Sequence, residues 1–411
     1  MINRKIIVGK IRVNQRFFQC FLLVLFFLLI AIGSPSHIVC AQSGTLLQKT
    51  DLVYQGAFRV PQGTYGTSTL NWGGTAIAYN AANNSLYITS HDHDQHIGEM
   101  SIPALVNSSN INDLNTATFI QNFKDGLEGR LNSVNPSDPN KKIIGGLLVY
   151  NNELYIAVWS YYDGAGTQYA SHFVRPLNLS NTGNLEGPYT VGTQYPGWVS
   201  GYMGAIPPEW QGALGGPALT GGCCHAIVSQ QSLGPAVSIF DPTDVGRTSP
   251  VGVTAALGYP NSNPTLGAWN CGGTPNPAYN MTTQVGGVVF PTGTASVLFF
   301  GMTGLGACYY QAGVHAPPYS AYAWAYDVND LIAVKNGEIN QWDITPYDTW
   351  EIDFYFGGSR ISGAAYDPVN QLIYVAEFCT DGECYPVIHA FLVNSASPSS
   401  NPQPPRNLRM E

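Results

Sequence analysis

The sequence predicts an all-β fold built from stacked repeats, and three observations predict it. One pattern recurs five times: a pair of small residues, usually glycines, opens an apolar strand, a turn follows, and a strand rich in Leu, Tyr, Ile and Val returns. The pairs are Gly73-Gly74, Gly145-Gly146, Ser200-Gly201, Gly286-Gly287 and Ser362-Gly363. One such unit cannot bury its own faces, so the copies must stack on their neighbours. Composition agrees, since 45 Gly and 24 Tyr accompany few helix-type amphipathic runs. The third observation is a further strand after each pair, often ending at Pro or Asp as strand terminators do: 98–103, 171–176, 236–242, 321–327 and 387–393.

The elements follow in chain order. Residues 1–41 read as a signal peptide, with a basic start (Arg4, Lys5, Lys10, Arg12, Arg16), an apolar run from Phe17 to Ile32, and Val39-Cys40-Ala41 before a cleavage point at Gln42. An uncleaved anchor and a lipoprotein through Cys40 stay open as alternatives. The mature chain holds no second apolar run long enough to span a bilayer. Residues 42–394 then form a single β domain, for which the length is ample, and 395–411 are a Ser-, Pro- and Asn-rich tail or linker. Outer strands are expected at 116–123, 187–193, near 251–257 and at 349–356. The fifth copy has none after it, but a matching strand stands at the other end, in 52–61.

This arrangement resembles a β-propeller whose last blade is completed by the N-terminal strand, a closure that removes the free sheet edge. Five copies imply five blades, with six or seven also open, and a β-sandwich is the competing fold. The repeats lie 55 to 86 residues apart, which implies long inserted loops. In a propeller, the loops between second and third strands share a face with the entries to the innermost strands, around the mouth of the central channel.

Net charge bounds the partners. The chain carries 17 Lys and Arg against 26 Asp and Glu, and five of the basic residues lie in the signal. An acidic, sparsely charged chain excludes nucleic acid, whose phosphates need a basic footprint. Six cysteines remain after the signal, an even number that reads as disulfides in an exported protein. Cys379 and Cys384 are expected to pair across a tight loop. For the other four, strain between neighbours argues that Cys223 and Cys224 reach separately to Cys271 and Cys308.

The mouth loops hold the candidate chemistry. His91-Asp92-His93-Asp94-Gln95-His96 contains three of the chain's eight histidines. If the strand continues through it, His91 and His93 share a face. With Asp94 and His96 they are candidate ligands for zinc or manganese, or for calcium through the aspartates. A polar loop with no metal is the alternative. His91, His93, His225, Tyr161 and Arg360 are the candidate catalytic groups, with Arg360 able to clamp a carboxylate or sulfate or to pair with Glu377. Trp72, Trp159, Tyr162, Asp163, Trp198 and Glu377 are candidate ligand contacts, the aromatic ones because sugar rings stack on flat faces.

No nucleophile elbow, phosphate loop, dinucleotide fingerprint or His-Glu-x-x-His is present. Five-bladed glycosidases of the arabinanase type place a carboxylate where the first innermost strand begins. Here that strand begins Asn71-Trp72-Gly73, a departure from the pattern. The leading expectation is an exported binding propeller for a glycan or other extracellular polymer, secreted, cell-surface or periplasmic. A polysaccharide lyase or hydrolase on the same scaffold, and a structural or surface-interaction protein, are the alternatives. Oligomeric state is not legible.

Overall fold

A computed structural model describes residues 44–224, 230–269, 276–311 and 313–394. The signal peptide, the tail, His225 and Cys271 lie outside the described residues.

Five four-stranded antiparallel sheets form the blades of a propeller. From the axis outward, blade 1 is Ile77–Asn80, Ser85–Thr89, Ile97–Ser101 and Phe119–Lys124, and blade 2 is Lys142–Tyr150, Glu153–Ser160, His172–Pro176 and Glu186–Tyr189. Blade 3 is Tyr202–Ala205, Ala218–Gly221, Val237–Phe240 and Thr254–Leu257, and blade 4 is Gln284–Val289, Ser296–Gly304, Tyr319–Asp327 and Asp348–Glu351. Blade 5 takes Ile361–Asp367, Leu372–Asp381 and Tyr385–Val393 from the end of the domain and its outer strand, Leu52–Arg59, from the beginning. Leu52 pairs with Val393 and Arg59 with Val387. Arg59 also donates from Nε to Asp381 Oδ2 at 2.6 Å and from Nη2 to Oδ1 at 3.1 Å, a two-pronged bond that pins the closing strand. Five blades, rather than six or seven or a sandwich, is therefore the architecture.

The small-residue pairs have one physical cause. In blades 2, 4 and 5 the register between inner and second strands slips at one place, across Ile144/Gly146, Val285/Gly287 and Ile361/Gly363. The bulged residue faces a carbonyl of the next blade. Blades 2 and 4 put glycine there, because a Cβ on Gly145 would stand 2.5 Å from Ser200 O and one on Gly286 2.5 Å from Ile361 O. Blade 5 instead puts Ser362, whose hydroxyl donates to Gly74 O at 2.7 Å.

Blade 1 shows the same device with different residues. Gly74 N and Ala76 O both bond Thr89 there, so the bulge falls at Thr75, whose hydroxyl reaches Ile144 O at 3.3 Å. In blade 3 the slip falls at Gly201 and Tyr202, which both face Gly221. Aligning the glycine pairs by eye therefore misses the register by two residues in the first copy and by one in the third. Each bulge takes either no side chain or a donor, since a neighbour's carbonyl must be avoided or bonded.

Packed this closely, the inner strands nearly shut the axis. At the level of Ala76, Gly146, Tyr202, Gly287 and Ala364 only about 10 Å³ stays open. Towards the strand exits the axis widens into an apolar cavity of about 270 Å³, lined by Ile77, Leu147, Met203, Val288 and Ala365 among others. Core clusters fill the spaces between blades, anchored by Trp324, Tyr326 and Phe299 on one side and Phe58, Ile88 and Ile388 on another.

Polar locks cross the blade junctions as well. Gln95 Oε1 accepts from Ile144 N at 2.6 Å, and Tyr259 and Tyr326 share a hydroxyl contact at 3.0 Å. His172 of blade 2 lies fully buried with its ring nitrogens 2.8 Å from Ser171 Oγ and 3.1 Å from Thr220 Oγ1 of blade 3. Burial, which strips the imidazolium of water, pushes its pKa down to about 3.

Two outcomes are expected. Gly286→Ala should destabilise the protein by about 1–3 kcal/mol, because its Cβ meets backbone that cannot turn aside. Ser362→Ala at the equivalent bulge should cost about 1 kcal/mol. Denaturant unfolding checks both. Because His172 is held neutral in the folded state and titrates near 6.5 when unfolded, the unfolded chain binds the extra proton between those values and stability falls as pH drops through that window. The slope is about 1.4 kcal/mol per pH unit at most. His172→Gln should flatten unfolding free energy against pH by that amount between pH 6 and 4 and leave the slope above pH 7 unchanged.

Candidate functional site at the channel mouth

Strand geometry decides which neighbours face the mouth. Successive residues of a strand point to opposite sides. Lys142 turns inward, where its ammonium bonds Asp138 O at 2.9 Å, Asp138 Oδ2 at 3.1 Å and the carbonyl of Asn140, and it is fully buried. Lys141 consequently turns to the rim, where it forms an ion pair with Asp92 of the first mouth loop and lies 5.9 Å over the ring of Tyr161.

The same parity separates Glu377 from Phe378. Glu377 points inward, accepting from His389 Nε2 at 2.7 Å and Gly358 N at 2.6 Å, with the Glu377 and His389 side chains both fully buried. His389 in turn meets Tyr54 OH at 3.1 Å and packs on Phe354 at 4.3 Å. The expected pairing of Glu377 with Arg360 is therefore absent, and Glu377 is part of the interior of blade 5 rather than a ligand contact. Phe378 faces the mouth. Its ring carries the Arg360 guanidinium at 4.6 Å and meets Trp72 edge-on at 6.2 Å.

Arg360 is half-buried, and among the described residues its guanidinium makes neither a hydrogen bond nor an ion pair. Loss of water pulls its pKa below the usual arginine range, and the charges of Asp92 and Tyr161 act the other way. Blade 5, the first mouth loop and blade 2 thus bring Arg360, Asp92 and Tyr161 into one electrostatic neighbourhood. Trp72, with φ of 55°, is held half exposed by its own N–H, which donates to Cys384 O at 2.8 Å. Tyr161 stacks on Trp159 at 6.1 Å, and Trp159 fills the space that the missing side chain of Gly145 leaves. Trp72, Tyr161 and Tyr162 remain 50, 55 and 50% exposed.

Other expectations need correction. The strand does not continue through the histidine run. Asp94 N and Gln95 N both donate to His91 O, which closes a turn. His91 and His93 stack at 5.4 Å, with His93 N donating to His91 Nδ1, while Asp94 accepts from Ser68 Oγ at 2.5 Å and His96 Nδ1 meets Thr67 Oγ1 at 2.8 Å. Among the described residues no three His, Cys, Asp or Glu side chains are grouped to hold a metal ion. A turn was preferred because Gln95 adopts φ of 54° and spends its side chain bonding Asp92 O and Ile144 N.

Asp163 caps its own loop, accepting from Thr167 N at 2.9 Å and Gln168 N at 2.8 Å, so its carboxylate is committed to the backbone. Trp198 wedges between blades 2 and 3 against Gly258. Cys223 and Cys224 bond each other rather than distant partners. Cys224 adopts a left-handed backbone there, with φ of 68°. Cys379 and Cys384 pair as expected, and Cys308 is also disulfide-bonded. Lys141 was not expected as a site residue, Asp92 was expected only as a calcium ligand through the aspartates, and Phe378 was not expected as a ligand contact. Strand parity counted from Lys142 and Glu377 is the signal that finds the first and last.

No family model and no curated protein sequence matches the chain. Among solved structures, a native arabinanase of Bacillus subtilis is similar at 10% identity and a TM-score of 0.43, over 82% of this chain and 96% of its own. An endo-arabinanase of glycoside hydrolase family 43 from Bacillus licheniformis follows at 10% identity and 0.40, over 80% and 96%. A luciferin-regenerating enzyme gives 7% and 0.36, over 85% and 95%. Likeness at this level concerns fold and not activity; the class, a five-bladed β-propeller closed by its N-terminal strand, rests on the sheet order. No helix among the described residues is long and apolar enough to cross a membrane.

The interior place of Glu377 has a measurable consequence. His389→Leu should destabilise the protein by about 3–5 kcal/mol, since it leaves a carboxylate buried without its partner. Glu377→Gln, which keeps hydrogen-bonding capacity towards Gly358 and His389, should cost less than half as much by thermal or denaturant unfolding.

Proposed function

We propose that this protein is an exported binding propeller that holds a glycan or other extracellular polymer across the channel mouth. The observation that carries this reading is the set of flat aromatic faces, Trp72, Tyr161 and Tyr162, left half exposed on mouth loops of blades 1 and 2. Aromatic side chains are large apolar surfaces, and leaving three of them in water stands to be offset by a ligand that covers them. A nearly shut axis supports binding across the mouth rather than passage through it.

Binding is favoured over hydrolysis because the rim carboxylates are already engaged. Asp92 is paired with Lys141, Asp94 with Ser68 and Asp163 with its own loop. A glycosidase needs two carboxyl groups facing the scissile bond, one of them free to carry a proton.

A panel of neutral and acidic plant, algal and bacterial polysaccharides tests the reading by affinity electrophoresis and calorimetry. At least one member should bind. Trp72→Ala and Tyr161→Ala should each weaken that binding by about 1 kcal/mol, roughly fivefold in Kd, at unchanged melting temperature. Retention of full affinity by both variants would sink the assignment to this rim.

A further inference from the structure

We propose that the glycan taken at this mouth is acidic, and that Arg360 binds the carboxylate or sulfate group of a sugar unit lying on the aromatic rim. The inference rests on the glycan reading above and specifies the substrate class for that site.

Three observations carry it. The first is the state of Arg360: its guanidinium has no hydrogen bond or ion pair among the described residues, though the side chain is half-buried against the face of Phe378. A guanidinium presents five N–H donors in a planar fork that matches an oxyanion, and stacking on a ring holds that fork in a fixed plane while leaving its edge open. The second is the charge around it. Asp92, the carboxylate whose charge acts on Arg360, is already paired with Lys141, and among the described residues no carboxylate forms an ion pair with Arg360 itself. In a chain of formal net charge −9 such a spot is unusual, and it lies where an oxyanion would dock.

The third is position. Phe378, on which the guanidinium lies, is itself in edge contact with Trp72, and the Lys141 ammonium that pairs with Asp92 lies over the ring of Tyr161. A ligand that covers the aromatic faces therefore brings its substituents to the cation. Burial makes the same point energetically. A charge that has given up part of its water gains more from an oxyanion than an exposed one does, because the local dielectric is lower and screening by salt is weaker. A neutral sugar offers the fork only hydroxyls.

The test compares oligogalacturonate with its full methyl ester, and sulfated with desulfated galactan oligosaccharides, by calorimetry on the wild-type protein and on Arg360→Gln. The free acid or the sulfated oligomer should bind the wild type at least about tenfold more tightly than its neutral counterpart, with affinity falling as salt is raised. Which of the two pairs shows the preference identifies the oxyanion. Arg360→Gln should abolish the preference, and an unchanged melting temperature reports that the variant is folded. If charged and neutral oligomers bind the wild type alike, or if Arg360→Gln keeps the preference, the acidic assignment is overturned and the glycan reading stands. If no member of either pair and no polysaccharide of the panel binds, both are overturned together.

Discussion

Everything else in this propeller depends on how closely the five inner strands approach one another. Around the axis the inner strands of blades 1, 2, 4 and 5 each bring a backbone bulge against a carbonyl of the next blade, and the side chain there either vanishes or donates a hydrogen bond. Gly145 and Gly286 follow the first course, Thr75 and Ser362 the second. The outcome is an axis open to only about 10 Å³ at its narrowest level. A buried carbonyl tolerates no intruding methyl and no missing partner. The same two solutions therefore recur where the sequence would otherwise be free to drift.

Rigidity at the axis is what makes the mouth a site. Lys141, Arg360 and Phe378 stand at the starts of inner strands or near the end of a second strand, so their directions follow from strand parity rather than from loop preference. Lys141 and Phe378 face the rim because Lys142 and Glu377 are consumed by interior bonds. The hydrogen-bonded series Gly358, Glu377, His389 and Tyr54, buried at its two central members, crosses blade 5 from the approach to its inner strand to the closing strand. Arg360 emerges two residues after Gly358, its guanidinium laid on Phe378. Its unengaged charge is thus a product of the frame that closes the ring.

The fold was largely legible in the chain, and the site only partly. Strand alternation and the repeated small pairs located the inner and second strands of all five blades, and the absent outer strand of the last copy located the closing strand Leu52–Arg59. Aligning the copies on their small pairs nevertheless misses the register in the first copy, since there Thr75 occupies the bulge and meets the same demand with a hydroxyl. The histidine run suggested paired ligands because alternation was carried past the strand end. Gln95, through a left-handed backbone and a side chain spent on blade 2, closes a turn there instead.

By itself the sequence determined what depends on local pattern: which segments alternate, where the chain must turn, that five equivalent units stack, and that Cys379 and Cys384 are near enough to join. Tertiary structure alone decided which polar groups are already engaged. Glu377 and Arg360 are plausible partners in a list of residues, yet His389 reaches the carboxylate first, across strands that only the closed ring brings together. Whether a charged side chain is free for a ligand depends on competition among all the groups within a few ångströms of it, and those neighbours come from distant parts of the chain. That is why Arg360 could be picked out in the sequence, while its lack of a partner could be read only from the fold.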